Sequence, residues 1–177
     1  PLGVYGASKL AGEAAVRAAG GRHIILRTAW VQSAGGANFV RTMLRLGAER
    51  DEINVVADQH GTPTGADDIA ATILSLIERL TARRDAAFGT YHFPNGGATT
   101  WHGLASAVFA WRAARGYRIP VVNSIATSQY PTPARRPASS VLSCEKIAAD
   151  HGIIARPWTE TIAAILTELE LKEKDPR

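Results

Sequence analysis

The chain has 177 residues, is 46% hydrophobic and 20% charged, and carries a formal net charge of +4. That composition suits a soluble globular protein with core enough for one domain or two small ones, and no apolar run is long enough to span a bilayer. A single cysteine, Cys144, excludes an internal disulfide and fits a reducing cytoplasm, while dispersed histidines and the lack of a C-x-x-C pair argue against structural zinc.

In chain order, residues 5–19 are alanine-rich and end at Gly20-Gly21, which predicts a helix. His23 to Arg27 is a short apolar run expected as a buried parallel strand. Residues 28–36 read as a glycine-rich loop, and Asn38 as the N-cap of a helix from Phe39 to about Ala48. Ile53 to Val56 is a brief strand, and residues 58–65 read as a loop. Ile69, Ile73, Leu76, Ile77 and Leu80 recur at helical spacing over 66–80. Gly89 to Phe93 is a strand followed by a turn at 94–97. Thr99 or Thr100 caps a helix to about Arg115, and Ile119 to Val122 is a strand. Residues 125–138 are proline-rich and extended. A short helix covers 144–151, and a last one starts at Pro157, with the final KEKDPR expected to fray. Alternation of helices with short buried strands makes this an α/β protein with parallel strands.

The chemistry is carried first by Tyr5 and Lys9. Four residues apart on a helix, they share one face. A phenol titrates at about pH 10 and an adjacent ammonium favours its charged form, so such a pair suits proton transfer to or from a substrate oxygen. The spacing alone also fits an ordinary helix start with an exposed lysine. Arginine outnumbers lysine 16 to 4, with doublets at Arg83-Arg84 and Arg135-Arg136. No basic stretch is interleaved with aromatics as a nucleic-acid surface would be, so a small phosphate-bearing ligand fits these forks at least as well.

Several blocks then occur together: Val4-Tyr5-Gly6-x-x-Lys9-Leu10-Ala11-Gly12-Glu13, Leu26-Arg27-Thr28-Ala29-Trp30-Val31, Asn38-Phe39-Val40-Arg41, Val55-Val56-Ala57-Asp58-Gln59-His60-Gly61-Thr62-Pro63-Thr64 and Tyr130-Pro131-Thr132-Pro133-Ala134-Arg135-Arg136-Pro137. Together they span most of the chain, and it resembles the extended short-chain dehydrogenase/reductase family, within it the dTDP-4-dehydrorhamnose reductase branch. The resemblance implies a Rossmann-type sheet, in which residues 1–28 and 66–94 form the C-terminal part of a dinucleotide-binding domain. Residues 29–65 and 95–177 would form a smaller α/β substrate domain. It implies reduction of the C4 ketone of dTDP-4-dehydro-L-rhamnose with NADPH or NADH, in the cytoplasm, with a dTDP-sugar as partner and neither membrane nor nucleic acid.

On that resemblance Tyr5 is the proton donor, and Lys9 holds the nicotinamide ribose and tunes Tyr5. Trp30, just past a strand's carboxyl end, would pack on the sugar ring; a core tryptophan is the plainer alternative. Asn38 opens a helix whose free amides suit a diphosphate, or it simply caps. Of the arginine doublet, Arg135 is preferred over Arg136 as the phosphate contact. Some family members bind magnesium at a dimer contact, and Asp67 matches one such position, where glutamate is typical. One ligand of altered length makes no metal site, and a homodimer stays open. Cys144, His60, His92 and His102 are read as bland, and Trp101, Trp111 and Trp158 as packing residues.

Pro1 and the lack of a glycine-rich phosphate loop point to the C-terminal part of a longer protein. The chain alone is expected neither to bind cofactor tightly nor to turn over. Two alternatives are a non-catalytic regulatory homologue resembling the methionine adenosyltransferase beta subunit, and another nucleotide-sugar epimerase or reductase.

Overall fold

The computed structural model describes residues 1–82, 86–134 and 136–174. The Arg83-Arg84 doublet, Arg135 and residues 175–177 lie outside the described residues. In chain order the elements are α1 (Val4–Ala18), β1 (Ile24–Arg27), β2 (Val31–Gln32), α2 (Phe39–Glu49), β3 (Glu52–Val56), β4 (His60–Gly61), β5 (Thr64–Gly65), α3 (Ala66–Ala82), β6 (Gly89–His92), β7 (Thr99–Thr100), α4 (Trp101–Ala113), β8 (Val121–Ile125), α5 (Glu145–His151) and α6 (Trp158–Lys174). Three strand pairs are parallel, β1 with β6, β2 with β5 and β3 with β8, which agrees with the expected α/β class. The exception is β4 with β7, which is antiparallel.

Alternation along β1 and β6 sorts their side chains to two faces. Ile24 and Leu26 pack with Tyr91 and Phe93 against Leu76 of α3 and Ile147 of α5. On the other face lies α1, which buries no residue. It is pinned instead by charge: Arg27 forks onto Glu13, with Nε donating to Oε1 and Nη2 to Oε2, both at 2.7 Å. Arg17 Nη2 also donates to Glu13 Oε2 at 2.8 Å and to Thr90 Oγ1 at 3.0 Å.

The second core gathers Val40 and Met43 of α2, Ile53 and Val55 of β3, Leu104, Val108 and Phe109 of α4, and Ile162 and Leu166 of α6. α2 meets α4 at Gly47, where any Cβ would collide with the Phe109 ring. The two cores are joined through Asp68. Its Oδ2 accepts from Thr161 Oγ1 at 2.7 Å and Asn95 Nδ2 at 2.9 Å, and its Oδ1 accepts from Arg156 Nε at 2.9 Å. Burial alone would raise the Asp68 carboxyl, but these bonds outweigh it and the net shift is downward.

The structure corrects three local expectations. The stretches at 28–36 and 58–65 are not wholly loop, since they hold β2, β4 and β5. Two-residue strands have too few positions to show a period, and their partners lie far along the chain. The strand expected at 119–122 is Val121–Ile125, because its register against β3 fixes it, Glu52 opposite Val121 through Val56 opposite Ile125. The last helix continues to Lys174 rather than fraying at 172, and Lys172 pairs with Glu168 at 2.7 Å.

Candidate functional site

The beginning of α1 carries the first two candidate residues. Lys9 Nζ stands 5.5 Å from the centroid of the Tyr5 ring, and Tyr5 is 77% exposed. The chain leaves the C-terminal end of α1 and turns at Gly20 and Gly21 into β1, so α1 runs antiparallel to β1. Tyr5 therefore lies about 12 Å along the helix from Glu13, toward the carboxyl end of β1. Glu13, which locks α1 in this place, has its carboxyl lowered from the ordinary 4.5 to about 2. The hydrogen bond from Arg27 is the largest cause, burial opposes it, and Arg17 adds to the lowering.

Trp30 follows the end of β1 with φ at +48°, which is unusual for a residue with a side chain. Its indole stacks on Trp101, with centroids 3.5 Å apart and planes 8° apart. Gly61 lies against the Trp30 ring, where a Cβ would collide with it. Phe39, the first residue of α2, meets Trp101 at 4.8 Å between ring centroids. Trp101 Nε1 donates to Gln59 Oε1 at 3.2 Å.

Trp101 and Phe39 open onto a cavity of about 560 Å³. One wall is the cavity-facing side of α2, including Thr42, Met43 and Leu46. Another is the edge of β3 that pairs with no strand among the described residues. Val121 N–H donates to Asp51 O and Ala57 N–H to Ile125 O, at 2.8 and 2.9 Å. In a parallel pair this alternation turns the N–H and C=O groups of Glu52, Asn54 and Val56 to the opposite edge, and all three residues line the cavity. Tyr130, Thr132 and Arg136 line it from the proline-rich segment.

These positions bear unevenly on the expected site residues. Tyr5 and Lys9 share one face as their spacing requires. Trp30 meets the cavity wall through Trp101; both pack against the second core as expected of packing residues, and Trp101 lines the cavity as well. Trp111 and Trp158 pack against the same core without lining the cavity. Asn38 caps α2: its Oδ1 accepts from Arg41 N–H at 3.1 Å, and its Nδ2 donates to Ser33 O at 2.8 Å. The cavity lining begins with the next residue, Phe39. Arg136 lines the cavity, whereas Arg135 lies outside the described residues. Among the described residues no three His, Cys, Asp or Glu side chains gather to hold a metal ion. Cys144 donates to Pro94 O at 3.3 Å, and burial pushes its thiol up, the environment of an inert thiol.

Gln59, Trp101 and the β3 edge carry no local signature that sequence reading could have used. Trp101 stands one residue after a helix cap, Gln59 sits in a turn-rich stretch, and a strand's free edge is defined only by its partner.

The profile of the RmlD substrate binding domain matches residues 1–171. The chain is 44% identical to a dTDP-4-dehydrorhamnose reductase of Sinorhizobium fredii over 177 residues, covering 99% of this chain and 60% of that relative. A crystal structure of a dTDP-4-dehydrorhamnose reductase ortholog from Clostridium acetobutylicum superposes with a TM-score of 0.87 at 35% identity, over 96% of this chain and 57% of that one. A Bacillus anthracis dTDP-4-dehydrorhamnose reductase in complex with NADP gives 0.84 at 34%, over 95% and 56%. The chain thus spans somewhat more than half the length of these relatives. With a match running from its first residue into α6, the chain belongs to the RmlD substrate binding domain family.

Proposed function

We propose that this chain is the catalytic-helix and substrate-binding part of a cytoplasmic enzyme that reduces the C4 ketone of dTDP-4-dehydro-L-rhamnose to dTDP-L-rhamnose with NADPH. The observation that carries this reading is a connected path made of one helix, an ion pair, three steps of chain and a ring stack. It runs from the helix bearing Tyr5 and Lys9, through Glu13 and Arg27, to Trp30 past the end of β1, then to Trp101 and the cavity. Ligands of open α/β sheets sit outside the carboxyl ends of the strands. Residues 1–28 and 66–94 then belong to the dinucleotide-binding domain, and 29–65 with 95–177 to the substrate domain.

The cavity suits the nucleotide end of the substrate. Phe39 and Trp101 offer flat surfaces to a base. The cavity-lining edge of β3 offers alternating donors and acceptors to the edge of a pyrimidine. Arg136 adds a guanidinium fork for the diphosphate.

Tyr5 and Lys9 suit the reacting end. The donor set fits a nicotinamide ribose, since the Lys9 ammonium beside an exposed phenol can donate to hydroxyl oxygens. NADPH, when bound, supplies the hydride. The Tyr5 hydroxyl donates its proton to the ketone oxygen, so that negative charge does not accumulate there. The Lys9 ammonium offsets the charge left on the Tyr5 oxygen.

Two experiments test this reading. Calorimetry with dTDP on the 177-residue chain reads the cavity alone, and binding is expected. Loss of NADPH absorbance with dTDP-4-dehydro-L-rhamnose reads the chemistry, in the chain joined to the upstream segment that its relatives carry. Turnover that falls at least about a hundredfold in Tyr5→Phe supports the reductase. Turnover unaffected by that change removes Tyr5 from the role. Binding without turnover turns the reading toward a regulatory homologue.

A further inference from the structure

Three consecutive residues, Asp58, Gln59 and His60, hold both ends of one stretch of chain. At the near end, the Asp58 carboxylate accepts the Thr127 N–H at 2.9 and 3.0 Å and the Thr127 hydroxyl as well. Gln59 Nε2 donates to Thr127 Oγ1 at 3.0 Å. At the far end, His60 N–H donates to Ala138 O at 2.8 Å, and His60 O accepts from Ser140 N–H at 2.8 Å. The stretch leaving Thr127 begins with a 3-10 turn, Thr127–Gln129. It then presents Tyr130 and Thr132 to the cavity.

Gln59 reaches two ways through its side chain alone. It is 8% exposed, and while its Nε2 holds Thr127, its Oε1 accepts from the Trp101 indole. One amide plane thus connects the strap carrying Tyr130 to the aromatic wall opposite. Each link is an ordinary hydrogen bond, but a buried amide engaged at both ends has little freedom to rotate.

We propose that Gln59 is a positioning residue for the nucleotide site. It sets the distance between the Trp101 wall and the Tyr130 strap, so that a base and its phosphates meet both at once. This rests on the reading of the cavity as the nucleotide site. Gln59 takes no part in proton transfer.

The test uses the 177-residue chain with dTDP as the probe. Gln59→Leu is similar in volume and removes both links. It should weaken dTDP binding about tenfold, speed hydrogen exchange at the Gln129 and Tyr130 amides, and alter the near-ultraviolet circular dichroism of the Trp30–Trp101 pair. Gln59→Glu keeps an acceptor for Trp101 and loses the donor to Thr127. It should restore the tryptophan signal and leave the Tyr130 amide fast, a separation that general destabilisation would not produce. Gln59→Met also removes both links at similar volume and serves if Gln59→Leu does not fold. Affinity within twofold of wild type together with unchanged Tyr130 exchange, in Gln59→Leu or its substitute, overturns the proposal. If the wild-type chain fails to bind dTDP, the nucleotide reading falls and the proposal with it. The exchange rates would then report only whether Gln59 holds the strap.

Discussion

Trp30 lies flat on Trp101, 71 positions further along the chain, with ring centroids 3.5 Å apart. The backbone of Trp30 must enter the left-handed region to do so, at φ +48°. That conformation costs about 1–2 kcal/mol for a residue with a Cβ. The stack returns about 0.5–1.5 kcal/mol beyond the area it buries, so strain and stacking are of similar size. The pair joins the end of β1 to the cavity wall.

Gly61 makes that stack feasible, because a side chain there would collide with the Trp30 indole. Gly61→Ala should push Trp30 off Trp101 and destabilise the chain by about 1–3 kcal/mol. The expected signs are a lower melting temperature and loss of the near-ultraviolet signal of the stacked pair. An unchanged signal would mean that Gly61 does not set the geometry of Trp30.

The hold on α1 depends on pH. The Glu13 carboxyl is depressed in the folded chain, from 4.5 to about 2, so the folded state favours the charged form. Its contribution is complete above the unfolded value and is lost on acidification between about pH 4.5 and 2. Amide exchange in α1 should therefore accelerate as pH falls through that window, after correction for intrinsic rates. Glu13→Gln should show fast α1 exchange at neutral pH and little further change on acidification. Because α1 buries no residue, the second core should stay protected in both.

Arg136 is the described guanidinium on the strap side of the cavity. Arg136→Ala should weaken dTDP binding about tenfold, with a smaller loss for thymidine, which lacks the diphosphate. Arg136→Lys should recover only part of the affinity, since an ammonium has no planar fork. Equal losses for dTDP and thymidine would place Arg136 away from the phosphates.

Asp68 ties α3 to α6 and to the turn at Asn95. Asp68→Ala leaves the Thr161 hydroxyl without its acceptor and the Asn95 amide with only the Arg156 carbonyl, and should cost about 2–3 kcal/mol of stability. Chemical denaturation would measure it, and a cost below about 0.5 kcal/mol would show that water replaces the carboxylate.

The sequence by itself determined the α/β class, most helix boundaries and the Tyr5–Lys9 pair. These follow from local periodicity: an apolar stripe over 66–80, glycines closing α1, a cap at Asn38 and a spacing of four on one helix. Asn38 illustrates the limit of such reading. Its capping bond to Arg41 is local and legible, but whether a helix start also faces a ligand depends on what packs beside it. Only the tertiary structure decided that Trp101 is a cavity wall, that Gln59 bridges it to Thr127, and that one edge of β3 has no partner strand among the described residues. Each is a relation between residues dozens of positions apart. The two-residue strands β2, β4 and β5 were hidden for the same reason, because pairing across space, not local preference, makes them strands.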